Sequence, residues 1–77
     1  MVTYIKNNRS DSLITIYIVN KNYARFLEKS IKSALEQSYK NIELIIVDDN
    51  SNDNSKKIIE KYGKLKSVKF LFNKKSI

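Results

Sequence analysis

Neither cysteine nor histidine occurs among the 77 residues. Without cysteine there is no disulfide and no thiolate zinc site. Without histidine the commonest general base and metal ligand is missing, and with it every Ser-His or Cys-His nucleophile pair. Acid–base chemistry would fall to Asp, Glu, Lys or Tyr. Glycine occurs once, so neither the Gly-rich dinucleotide loop nor the P-loop is present. No stretch approaches the roughly 20 apolar residues of a membrane span. Residues 1–12 contain no apolar run long enough for a signal-peptide core. With no cysteine and no secretory segment, the expected location is cytoplasmic. At this length the chain forms one small domain at most, and such a domain is marginal alone.

The net charge is +7, from 15 basic and 8 acidic side chains. A basic balance favours nucleic acid, anionic lipid or phosphorylated ligands, or it is simply a lysine-rich solvated surface. Lys56-Lys57 and Lys74-Lys75 are the only adjacent lysines, and acidic or apolar residues interrupt any longer block.

Residues 1–12 read as a polar lead-in, and residues 13–77 as one partial α/β domain. Residues 13–19 are β-branched and aromatic with almost no polar break, which suits a strand buried on both faces of a parallel sheet. Asn20, Lys21 and Asn22 form a loop. Over residues 23–37 the period becomes helical: Leu27, Ile31, Ala34 and Leu35 share a face, with Glu28, Lys29, Lys32 and Glu36 between them. Asn22 is placed to cap this helix, and Glu28 with Lys32 makes an i,i+4 pair. Residues 38–41 are a turn, 42–47 a second apolar strand, and 48–54 a run of turn and cap formers. A second helix starts within residues 53–55 and runs to Tyr62, with Ile58, Ile59 and Tyr62 inward and Gly63 at its C′ position. Residues 68–72 make a third strand.

This alternation predicts a three-stranded parallel βαβαβ sheet with right-handed crossovers and both helices on one face. Yet Ile14, Ile16 and Ile18 point one way while Leu13, Tyr17 and Val19 point the other. Both faces call for burial, so further chain or an oligomeric partner is expected to cover the second.

Open α/β sheets bind ligands beyond the carboxyl ends of their strands. Residues 19–22 and 48–51 lie there. Strand-end carboxylates can accept from a ribose hydroxyl or a base N–H; alternatively, Asp48 and Asp49 only form Asx turns. A calcium loop counted from Asp49 would use Ser51, Asp53 and Glu60. It fails, because Asn54 stands where the turn wants glycine, a strand precedes the loop, and Lys56 and Lys57 lie inside it.

The apolar strand, Asn22, Phe26-Leu27 and the run S-I-K-S-A-L-E-Q-S-Y-K-N-I-E-L-I-I-V-D-D-N-S-N-D-N-S over residues 30–55 together resemble the opening of the family 2 glycosyltransferases. The resemblance extends over about residues 13–72. It implies the Rossmann-like half of a GT-A fold, which in that family is joined to an acceptor-binding half. It further implies a nucleotide-binding set of Val19, Asn20, Asn22, Asp48, Asp49 and Ser51. In that set Val19 borders a uracil-type base and Asn20, Lys21 and Asn22 form the loop beside it. Asp49 contacts base or ribose, Asp48 forms the turn and Ser51 braces it. Gln37 and Tyr39 match structural positions, and Phe26 and Leu27 match core positions.

Two departures stand out. Val19-Asn20-Lys21 replaces Pro-Thr-Tyr, which alters the base pocket. Asn50 replaces glycine, and asparagine tolerates positive φ. In the family an Ala-Arg-Asn helix, an Asp-x-Asp motif holding Mg²⁺ or Mn²⁺, and an Asp or Glu base all follow the third strand. The matched segment precedes all three, so no metal ligand and no catalytic residue is expected here.

The resemblance implies a transferase that takes a sugar from a nucleotide-sugar, expected to be UDP-linked, to a growing glycan. The expected setting is bacterial surface polysaccharide or capsule synthesis, with peripheral association at the inner membrane face and no nucleic-acid partner. The Lys-, Asn- and Ile-rich composition matches an AT-rich bacterial genome. The alternative is a small basic anion- or nucleic-acid-binding module without enzymatic activity, whose polyanion binding would depend steeply on salt. Against it, Tyr17, Phe26 and Phe70 fall on expected core positions and leave no exposed stacking set.

Overall fold

The computed structural model describes residues 2–7, 14–36 and 42–74. Along the chain these form β1 (Val2–Asn7), β2 (Ile14–Asn20), α1 (Ala24–Leu35), β3 (Ile42–Asp49), α2 (Ser55–Tyr62) and β4 (Val68–Asn73). One sheet contains all four strands in the order β1-β2-β3-β4. β2, β3 and β4 are parallel, with Asn20 opposite Asp48 and Asp48 opposite Phe72. The expected βαβαβ unit is therefore present. Leu13, Gln37, Tyr39 and the 38–41 turn lie outside the described residues.

Part of the expected lead-in is a strand. β1 runs antiparallel to β2, with Val2 opposite Val19 and Asn7 opposite Ile14. Val, Thr, Tyr and Ile favour extended backbone, but Thr3, Lys6 and Asn7 break the apolar pattern that marks a buried strand. An edge strand buries little and so needs little apolar sequence; Ile5 is 65% exposed.

Strand alternation divides the side chains between two faces. On one face Ile16, Ile18, Leu44, Ile46 and Val68 pack under Leu27, Ile31 and Ala34 of α1 and Ile59 of α2, forming a buried core. Each Ile, Leu or Val among them contributes about 1.5–3 kcal/mol of burial free energy. The opposite face carries the half-buried Tyr17, Val19, Ile45 and Val47 and the exposed Leu71. No described helix lies on it, as right-handed crossovers require.

Several local expectations change in the folded chain. Phe26 is 52% exposed and Phe70 41% exposed, so neither is core. Phe26 lies off the Leu27–Ile31–Ala34 stripe, and Phe70 lies on the outermost strand. Asn22 does not cap α1. Tyr23 occupies the cap position without a side-chain cap bond, while Asn22 takes a left-handed φ of 55°. Gly63 has φ −65°, an ordinary helical value. Its lack of a side chain matters because a Cβ there would collide with the Phe70 ring. Glu28 turns from Lys32 toward α2, where its carboxylate accepts from Tyr62 Oη at 2.7 Å and Lys61 Nζ at 3.0 Å.

Candidate functional site

β2 and β3 are adjacent and parallel, so their carboxyl ends emerge side by side. The loop after each therefore meets the other. Asn20 Nδ2 donates to Asp48 Oδ1 at 2.9 Å and to Ser51 Oγ at 3.3 Å. Lys21 Nζ donates to the Asn50 carbonyl at 3.0 Å. The Asn22 amide donates to Ser51 Oγ at 2.9 Å, and Asn22 Oδ1 accepts from the Asn52 amide at 2.6 Å. The Ala24 amide donates to Asp53 Oδ2 at 3.0 Å. The two loops are thus joined by a series of hydrogen bonds.

The joint depends on two left-handed asparagines, Asn22 at φ 55° and Asn50 at φ 56°. Asparagine enters this region more readily than other non-glycine residues. That explains how Asn50 serves in place of glycine.

The same alternation that builds the core sorts the site residues. Asn20 and Asp48 continue the helix-covered face and are fully buried. The Asp48 carboxylate also accepts from Ser51, at 3.0 Å from its amide and 2.6 Å from its hydroxyl. Asn20, Asp48 and Ser51 are therefore internal struts, and a buried carboxylate needs such partners. Val19 and Asp49 lie on the opposite parity and are half-buried. They form the open-face side of the same edge. Asn22 is exposed at the joint.

Two residues of this edge outside the expected nucleotide-binding set turn out to brace it. Lys21 ties one loop to the other through the Asn50 carbonyl. Asp53 accepts from Ala24 at the start of α1 and, through Oδ1, from the Ser55 amide at the start of α2 at 2.9 Å. One carboxylate thus serves two helix N-termini, where the peptide dipoles favour negative charge. Burial works to raise the Asp53 pKa, but hydrogen bonds from Ser55 and Ala24 outweigh it and hold the group below the usual carboxylate value. Only its place in a turn-former run hinted at this, since capping partners 29 residues apart have no sequence signal.

The divalent cation implied by the resemblance does not fit these residues. Asp48 is committed to Asn20 and Ser51, and Asp53 to two helix amides. Among the described residues no cluster of three or more Asp, Glu, His or Cys is placed to hold a metal ion. The calcium reading fails on the same geometry.

A parallel half-sheet with helices on one face and a braced loop pair at its carboxyl edge defines a Rossmann-like α/β segment. The chain belongs to glycosyl transferase family 2, whose sequence model matches residues 15–76. An uncharacterised glycosyltransferase of Nostoc sp. is 50% identical over 46 residues, covering 60% of this chain and 14% of that protein. One from Rickettsia typhi is 42% identical over 59 residues, 77% of this chain and 19% of that protein. The undecaprenyl-phosphate 4-deoxy-4-formamido-L-arabinose transferase of Proteus mirabilis is 44% identical over 62 residues, 78% of this chain and 18% of that protein. The chain spans less than a fifth of the length of these relatives.

Proposed function

We propose that this segment recognises the nucleoside of a nucleotide-sugar donor, expected to be UDP-linked, for transfer of the sugar to a glycan or lipid-linked acceptor. The carrying observation is the fused loop pair at the carboxyl ends of β2 and β3. Because the loops touch, the nucleoside rests against their open-face side and not between them. Val19 borders the base there, and Asp49 accepts from a base N–H or ribose hydroxyl. Asn20, Asp48 and Ser51 keep that surface rigid from behind, and Asn22 fixes the neighbouring loop. Metal binding and general-base catalysis are assigned to other parts of a complete transferase. Bacterial surface glycan synthesis fits the Proteus relative, which is named as an undecaprenyl-phosphate 4-deoxy-4-formamido-L-arabinose transferase.

The test is a titration of the complete protein with UDP, followed by backbone amide shifts. Shifts should centre on Val19 and Asp49 and spare α2. Asp49→Ala should weaken UDP binding about tenfold, the equivalent of one lost hydrogen bond to a charged group. Folded protein that shows no UDP-dependent shift at this edge would count against the reading.

A further inference from the structure

Charge is distributed very unevenly along this chain. Residues 61–77 hold six of the fifteen basic residues and none of the eight acidic ones. Lys61 and Lys69 are ion-paired with Glu28 and Glu43 from other elements, so Lys64, Lys66 and Lys74 carry the surface charge of its described part. The described part of this stretch is the end of α2, the turn after it and the edge strand β4. Apolar side chains are interleaved with the lysines. Leu65 is 47% exposed between the exposed Lys64 and Lys66, and Phe70 is 41% exposed on the helix side of the β4 edge. The turn is well ordered by backbone bonds. The Leu65 amide donates to the Tyr62 carbonyl at 3.0 Å, the Val68 amide to the Leu65 carbonyl at 3.1 Å, and the Leu44 amide to the Ser67 carbonyl at 2.8 Å. Leu65 is therefore held outward at little further entropic cost.

We propose that the β4 edge and the turn before it form a docking surface for an anionic lipid bilayer. Charge complementarity selects the partner, because a lysine cluster is drawn to the negative surface potential of acidic phospholipids. The exposed Leu65 between two lysines favours a bilayer over nucleic acid, since aliphatic side chains insert at the headgroup boundary. Single-stranded nucleic acid is held by a series of stacking rings, whereas among the described residues of this edge Phe70 alone is an exposed ring. No described helix is long and apolar enough to cross a membrane, so this contact is superficial. The inference stands apart from the nucleotide site, which lies on other loops.

Co-sedimentation with vesicles tests it. The full chain should bind vesicles of phosphatidylcholine with phosphatidylglycerol and not those of phosphatidylcholine alone, and salt should weaken the binding. Each basic side chain near an anionic surface is worth about fivefold in partitioning. Lys64→Glu with Lys66→Glu should therefore lower the partition coefficient by about tenfold or more. The same charge change on α1, Lys29→Glu with Lys32→Glu, should alter it by no more than about twofold if those charges lie beyond the screening length. Leu65→Ser should weaken vesicle binding and leave the binding of a single-stranded oligonucleotide unchanged. The proposal is overturned if the wild-type chain shows no preference for the anionic vesicles. It is equally overturned if the α1 pair matters as much as the turn pair, or if the oligonucleotide binds as tightly as the vesicles.

Discussion

The Asp53 carboxylate reaches two helices at once, with Oδ2 on the Ala24 amide and Oδ1 on the Ser55 amide. Asp53→Ala leaves both first-turn amides without that acceptor and should cost about 1–2 kcal/mol, read from a urea midpoint. Its folded pKa is depressed, so the contribution is complete above the ordinary value of 3.8 and is lost as pH falls through the lower folded value. The neighbouring pair Asp48 and Asp49 should separate cleanly on substitution. Asp48→Asn turns one of the carboxylate oxygens that accept from Asn20 Nδ2, the Ser51 amide and the Ser51 hydroxyl into a donor, and should cost about 1–3 kcal/mol. Asp49→Ala, on the opposite parity, should weaken UDP binding, whereas Asp48→Asn acts first on stability. Gly63→Ala should destabilise by about 1–3 kcal/mol through overpacking against Phe70, with no backbone strain, because its φ is −65°.

α2 has eight residues, fewer than an isolated helix needs to persist in water. Its stability comes from Ile59 in the core and from its contacts with α1. Glu28 supplies the polar part of that contact. The Tyr62 hydroxyl first, and Lys61 second, hold its carboxyl below the usual 4.5, while Glu28 in turn raises the Tyr62 and Lys61 values. A depressed carboxylate stabilises the fold above its unfolded value and loses that contribution as pH falls through the folded one. Acidification below about pH 4.5 should therefore loosen the α1–α2 contact. Glu28→Gln should flatten this part of the pH dependence, as measured by urea midpoints across the acid range. Tyr62→Phe should flatten it partly, since Lys61 remains.

At the scale of the whole molecule, the sheet is covered on one side only. Tyr17, Val19, Ile45 and Val47 are half-buried on the other side, and Leu71 is exposed there. An apolar face of this kind favours association. The sedimentation coefficient of the 77-residue chain should rise with concentration, and Val47→Lys should abolish the rise without unfolding the helix-side core. The chain spans less than a fifth of its relatives' length. A full-length transferase has ample further chain to bury this face, and Val47→Lys in such a protein should destabilise it. The Glu43–Lys69 ion pair, at 2.8 Å, is largely solvent-exposed and contributes little to either outcome.

Periodicity alone determined much of this protein. Switching between periods of 2 and 3.6 placed β2, α1, β3, α2 and β4 to within a few residues, because each element buries a continuous apolar stripe. Alternation also showed that both sheet faces are apolar. β1 was not legible, since an edge strand needs no such stripe. Phe26 and Phe70 were misplaced because hydrophobicity records what a side chain favours, not whether a neighbour reaches it. The roles of Lys21, Asn22 and Asp53 were decided only by tertiary structure: each has its partner on the facing loop, about 29 residues along the chain. Parallel strands bring such distant segments together, and hydrogen bonds across that distance leave no local period to read. The split between Asp48 and Asp49 lies between the two cases. Adjacent strand residues must face opposite sides, but only the packed helices decided which side is buried.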